Sequence, residues 1–232
     1  IRGVLGSRGL GDVYKRQELP RSTAKPNVKS RRKERSYIPK ERIAEIFQRF
    51  PEGSSTYLPL LLGYRCGLRL GEAYALQWKD IDFQKKTLTV QRQIQYIEKK
   101  IDTFQKSVLY FSEPKYNSFR TIQLDSETLG VLERLKSQQK SNCEEYAEFY
   151  CRYFETPERT AASDPEPHIL NTDGIGEEIF FLNVNADGSY IRPRTMQHAS
   201  YVIHTELDFP EFDFHSLRHT HCTEPVSYTH LT

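Results

Sequence analysis

Two short segments far apart in this chain, Gly67-Leu68-Arg69-Leu70-Gly71-Glu72 and His215-Ser216-Leu217-Arg218-His219, each place an arginine three positions from a second polar group. Three residues is close to one helical turn, so Arg69 and Glu72 share a face, and so do His215 and Arg218. That spacing aims both members of each pair at one ligand. A fold that uses both pairs must carry two helical segments to one place across everything that lies between them.

The hydrophobic pattern says what lies between. A helix is expected from near Pro39, with Ile43, Ile46, Phe47 and Phe50 at helical spacing until Pro51-Glu52-Gly53 stops it. Ser54 or Ser55 is the expected cap of a second helix whose Leu58, Leu61 and Leu62 face a core. A third, from about Leu70 to Trp78, carries the first arginine. Thr87 to Val90, Ser107 to Phe111 and Phe119 to Leu124 are β-prone, and a small antiparallel sheet with a hairpin tip at Tyr116-Asn117-Ser118 is the economical arrangement. Helices are expected again over Ser126 to Gln139 and around Glu144 to Phe154. A loop follows over Thr156 to Gly176, then a short strand at Ile179 to Leu182 and a turn at Asn185 to Gly188. A helix from Thr195 aligns Met196, Ala199, Ile203 and Leu207 before the His215 segment opens the last one. The expected fold class is mainly α with a small antiparallel β-sheet, an α+β arrangement.

Charge is unevenly placed. Lys15 to Arg42 holds eleven Lys or Arg against three Glu, a local balance of +8 in a chain whose formal net charge is +2. Residues 18–36, basic and carrying Pro20 and Pro26, read as an interdomain linker that could attract a phosphate backbone or could simply be solvated. Residues 37–223 form the expected catalytic domain, incomplete at its C-terminal end. Residues 1–17 and 224–232 fit neither neighbour and read as non-native sequence. No long apolar run suggests a membrane span or signal peptide, so a cytoplasmic protein is expected. Cys66, Cys143, Cys151 and Cys222 lack the spacing of a zinc ribbon or a disulfide framework and read as free thiols.

Breaking a DNA strand without a metal needs positive groups around the scissile phosphate, an acid for the departing 5′ oxygen and a nucleophile. Arginine suits the first task because its planar fork donates two hydrogen bonds while staying charged. Arg69 and Arg218 are the candidates, with Glu72 able to hold Arg69 in place; alternatively Arg69 and Glu72 are an ordinary surface pair. Lys115, in Pro114-Lys115-Tyr116-Asn117-Ser118-Phe119-Arg120-Thr121-Ile122, reads by itself as a solvated lysine, and the role of acid comes to it only from a family resemblance, with Lys106 and Arg120 as competitors. His215 and His219 also stand at the i, i+4 spacing of a helical zinc site, without a zinc protease's adjacent glutamate or an obvious third ligand.

Taken together, the Gly67 to Glu72 block followed by Leu76, Trp78, Asp80 and Ile81, the Lys115 segment and Phe214 to His221 resemble the catalytic domain of tyrosine recombinases, the phage and conjugative-transposon integrases, over roughly residues 18–223. The resemblance implies site-specific DNA recombination through a 3′-phosphotyrosyl intermediate, with a decayed, non-catalytic DNA-binding remnant as the alternative. It makes Arg69, Lys115, His215 and Arg218 catalytic: the arginines clamp the phosphate, Lys115 is the general acid, and His215 contacts the phosphate. It implies no metal or nucleotide cofactor, double-stranded DNA as partner, and a homo-oligomer assembled on that DNA. The family's tyrosine follows two further helical segments. Here Tyr228 stands ten residues after Arg218, which as helix spans only about 15 Å. A fragment without a positioned nucleophile is therefore expected.

Overall fold

The computed structural model describes residues 37–101, 104–157 and 168–223. Pro39, whose ring fixes φ and which has no N–H to leave unpaired, directly precedes α1 (Lys40–Arg49), and Ile43 and Ile46 are buried along one of its faces. The second helix, α2 (Tyr57–Arg65), is apolar almost all round, which is the pattern of a helix enclosed by neighbours. Leu60 and Leu62 are completely buried. Its cap is Thr56 rather than Ser54 or Ser55, and no side chain bonds the exposed N–H groups there.

The third helix is shorter than its pattern suggests. α3 (Leu70–Tyr74) ends after five residues, and Trp78 to Asp80 form a separate 3-10 turn. Asp80 breaks the run because its buried carboxylate accepts from the Gln77 N–H at 2.8 Å and from Arg92 at 2.6 Å, fixing the chain in a turn. Strands β1 (Ile81–Asp82) and β2 (Thr87–Val90) follow, then β3 (Gln93–Ile101) and β4 (Phe104–Ser112), which pair antiparallel along their whole length.

Ser107 to Phe111 and Phe119 to Leu124, expected to form one hairpin, belong to different sheets. β5 (Arg120–Gln123) pairs with β2, giving the order β1-β2-β5, while β4 belongs to a sheet ordered β3-β4-β7-β6-β8 with β6 (Tyr153–Pro157), β7 (His168–Asn171) and β8 (Glu177–Ile179). Pro114 is one reason, since it has no N–H to continue the ladder beyond β4. Tyr116 and Asn117 are the other: both take left-handed φ, of 63° and 49°, and turn the chain from one sheet into the next.

From Asp125, whose carboxylate accepts from the Thr128 N–H at 2.8 Å, α4 (Ser126–Tyr146) runs without a break. The helix expected around Glu144 to Phe154 is thus the end of α4, a 3-10 turn over Ala147–Phe149 and the first residues of β6. Part of the expected loop at Thr156 to Gly176 is strand, because Tyr153 and Phe154 on β6 bond across to β7 and β8. The turn at Asn185 to Gly188 is present, closed by a 3.0 Å bond from the Gly188 N–H to the Asn185 carbonyl. α5 (Thr195–Thr205) buries Met196, Ala199 and Ile203, and α6 (Phe214–Thr223) buries Phe214 and Leu217.

Two cores result. The larger joins α1, α2, α4, α5 and α6 to the three-stranded sheet; the smaller, rich in aromatic rings, sets Tyr74, Phe111, Phe181 and Tyr190 against the five-stranded sheet. Within the larger, α2 and α6 approach so closely at Gly63 that an added Cβ would lie 2.8 Å from the Phe214 ring and 3.3 Å from Leu217. Gly63→Val is therefore expected to overpack this contact and cost about 1–3 kcal/mol. By contrast, Gly130→Ala in α4, where the new methyl meets only the far end of Arg134 at 3.4 Å, should stabilise by up to about 1 kcal/mol. Urea denaturation of both variants reads the two signs.

Cys66, buried at the end of α2, has its thiol pushed up to about 12 by burial and the nearby Asp125 carboxylate. Native-state alkylation at about pH 8 should accordingly label the exposed Cys151 and Cys222 and spare Cys66 until the protein unfolds, as read by peptide mass spectrometry.

Candidate functional site

The first arginine is held at the junction between α2 and α3. Gly67 adopts φ +60° just past α2, which lets the Leu68 N–H reach back to the Leu62 carbonyl at 3.3 Å and turns the chain toward α6. Arg69 then serves as the cap of α3 instead of lying within it. Its backbone N–H donates to Glu72 Oε2 at 2.9 Å and its Nη1 to Glu72 Oε1 at 2.7 Å. The expected sharing of a face by Arg69 and Glu72 is met, through a cap rather than through a helical turn.

Glu72 is fully buried yet ionised. Burial alone would raise its carboxyl, but Arg120 outweighs this by donating to both oxygens, at 3.2 and 2.6 Å, and Arg69 adds its backbone and side-chain bonds, so the group is held below the ordinary carboxylate range. The second arginine arrives from α6, whose first turn is fixed by a 2.9 Å bond from the Ser216 N–H to the Asp213 carboxylate. Arg218 Nη1 donates to the Gly67 carbonyl. The contact is intimate, because a Cβ on Gly67 would lie 2.8 Å from the His221 ring. Thr220 ties the same helix to the start of α1: its hydroxyl accepts from the Ile38 N–H and donates to the Ser216 carbonyl, both at 2.9 Å.

Arg69 and Arg218, remote in sequence, therefore meet across Gly67. Arg218 has its guanidinium pKa lowered, first by desolvation and then by the positive charges of Arg69 and Arg120, with Glu72 opposing them. Two guanidinium groups share the Glu72 carboxylate, and the third, of Arg218, stands near enough to feel their charge. The arrangement is built to accept an anion.

Lys115 occupies a 3-10 turn (Lys115–Asn117) on the crossing between the two sheets. Its ammonium lies 5.2 Å from the Tyr116 ring centroid in an exposed position. The turn is nevertheless tied to the first arginine, since Arg69 Nη1 donates to the Ser118 hydroxyl at 2.7 Å. His215 sits one turn before Arg218 on α6 and packs its ring edge-on against His219, with centroids 5.5 Å apart. Among the described residues no three His, Cys, Asp or Glu side chains gather closely enough to hold a metal ion. Lys106 lies where side chains are outside the described part, as do Tyr228 and the basic segment 18–36. Arg120, Ser118 and Gly67 are the site members that motif reading did not place. Arg120 was visible only as a rival proton donor, and its distance from Arg69 in sequence hid their shared carboxylate.

A model of the phage integrase family matches residues 39–226. A XerC-like tyrosine recombinase from Caldanaerobacter subterraneus subsp. tengcongensis is 28% identical over 167 residues, which is 71% of this chain and 37% of that protein. Two structures of the Tn1549 transposon integrase, one with a circular intermediate DNA and one with transposon right end DNA, share the fold, each with a TM-score of 0.50. They are 16% and 18% identical, and each match covers 81% of this chain and 52% of the other. The chain thus has an integrase-like catalytic fold, and it belongs to the phage integrase family, the tyrosine recombinases. It spans little more than a third of the XerC-like relative and about half of the integrase chains.

Replacing Glu72 by glutamine keeps the shape and removes the charge that two guanidinium groups share. Glu72→Gln should cost about 1.5–3 kcal/mol near neutral pH, the usual loss for hydrogen bonds to a charged group. Because the folded carboxyl titrates below its unfolded value of about 4.3, its contribution is present above that pH and lost as pH falls through the lower folded value. Urea unfolding from pH 7 to 3 should show the two proteins diverging at neutral pH and converging in acid.

Proposed function

We propose that this chain carries the phosphate-clamping part of a site-specific recombinase that breaks and rejoins double-stranded DNA, with a second copy of the protein engaged on the same DNA. The observation that carries the reading is that Arg69 and Arg120 grip one buried carboxylate while Arg218, bonded to the Gly67 carbonyl, lies within reach of their charge, which leaves positive charge to spare. A phosphodiester is an anion with a planar pair of accepting oxygens, and paired arginine forks suit it better than a single ammonium would. The Tn1549 integrase structures were obtained with DNA, which agrees with this choice of ligand.

In this reading Arg69 and Arg218 hold the non-bridging oxygens and stabilise the charge that grows on them in the five-coordinate transition state. Lys115 gives a proton to the departing 5′ oxygen, and His215, one turn from Arg218, donates to the same phosphate. The attacking group is a tyrosine hydroxyl, which would exchange the phosphorus–oxygen bond to the 5′ oxygen for one to itself. Although Ser118 is 49 residues from Arg69 in sequence, its bond to Arg69 brings the Lys115 turn to the clamp.

Binding to a short duplex at several salt concentrations tests the clamp. Arg69→Ala and Arg218→Ala should each weaken binding and lower the dependence of log K on log salt by about one. Unchanged affinity and slope in both variants would remove the phosphate reading. On a nicked suicide duplex this chain is expected to bind without forming a covalent band, for want of a positioned nucleophile; a band lost in Arg218→Ala and in Tyr228→Phe would overturn that expectation and identify strand cleavage by Tyr228.

A further inference from the structure

We propose that Arg120 is a positioning residue that holds the Lys115 turn in register with the arginine clamp, an inference that rests on the DNA reading only for what Lys115 then does. Beyond the buried Pro114 that leads into it, the turn places its own side chains outside the core. Lys115, Tyr116 and Asn117 are exposed, Tyr116 to 83%, and two consecutive non-glycine residues stand in the left-handed region. A conformation of that kind persists only where its surroundings impose it.

The imposing contacts converge on Ser118. Arg69 donates to its hydroxyl at 2.7 Å, while Arg120 Nη1 donates to its carbonyl at 3.1 Å. Both guanidinium groups are themselves fixed by the Glu72 carboxylate. Arg120 is in turn fixed by its strand, paired with Val90 at the end of the three-stranded sheet. The turn thus hangs between a sheet and a buried ion pair, and Arg120 is the group that touches both. A direct role as proton donor does not suit it, because a guanidinium stays charged and its two Nη atoms are already engaged with Glu72. Lysine is a poorer substitute, since one ammonium lacks the second nitrogen with which Arg120 also holds the other Glu72 oxygen.

Amide hydrogen exchange on the free chain is the first test. Arg120→Lys and, separately, Ser118→Ala should speed exchange at the Asn117 and Phe119 amides, which close the turn on Pro114 and Asn117, by about tenfold or more while α1 and α5 keep their protection. Unchanged exchange in the turn overturns the proposal, and so does uniform acceleration through α1 and α5, which would make Arg120 a general stabiliser. Duplex binding supplies the second test through a double-mutant cycle. Lys115→Ala should weaken binding clearly in the wild type and much less in Arg120→Lys. Equal losses in both backgrounds would mean that Arg120 acts independently of Lys115 and would refute the positioning role. If Lys115→Ala has no effect even in the wild type while the turn amides respond as expected, the assignment of Lys115 to DNA fails and the anchoring of its turn stands.

Discussion

The carboxylate of Glu72 accepts four hydrogen bonds, two from Arg69 and two from Arg120, and has no exposure to solvent. A buried ion costs several kcal/mol to desolvate, and only close, well-directed partners offset this. Those partners also commit three separate pieces of chain: the exit from α2, the start of β5 and the turn before it. If the carboxylate were absent, Arg69 and Arg120 would face each other as like charges with nothing between them. The position of the clamp thus depends on one acidic side chain that need not touch a ligand.

Helix packing brings the other half of the clamp. Gly63 lets α2 and α6 touch, and Gly67 lets the chain turn so that its own carbonyl faces Arg218. Both positions need the absence of a side chain, one for closeness and the other for a left-handed φ as well. Thr220, fully buried, spends its hydroxyl on the backbone of α1 and of α6, so the last helix is anchored at the far side too. Leu217 fills the space between these contacts. The arginine beside it projects from a helix that has little freedom to shift.

How much of this the sequence reveals depends on the range of the interaction. Helical spacing exposes α1, α4, α5 and α6, because burial on one face repeats every three or four residues whatever lies opposite. The Arg69 and Glu72 pair and the His215 and Arg218 pair are legible for the same reason. Strand pairing is not, since Ser107 to Phe111 and Phe119 to Leu124 have the same β-prone composition whether they pair with each other or with different partners. The local features that decide it, Pro114 and the left-handed Tyr116 and Asn117, look in sequence like a hairpin tip. Asp80 shortened the third helix through a bond to Arg92, twelve residues on, and no periodicity contains that information. Arg120 was hidden in the same way: its partner Glu72 is 48 residues distant, and only the pairing of β2 with β5 brings them together.

The electrostatics bear directly on the proposed binding of a phosphate here. With no carboxylate, three guanidinium groups in a partly buried place would each be costly to keep charged, and even with Glu72 present the pKa of Arg218 is lowered, first by burial and then by Arg69 and Arg120. With a second carboxylate, the charge would be satisfied and a phosphate would have to compete. One shared carboxylate lies between these limits: it neutralises enough charge for the fold to form and leaves Arg218, which donates to the neutral Gly67 carbonyl, as the group with most to gain from an arriving anion. On the proposed reading, an arriving phosphate adds negative charge to a cluster in which, among the described residues, guanidinium groups outnumber the carboxylate that pairs them.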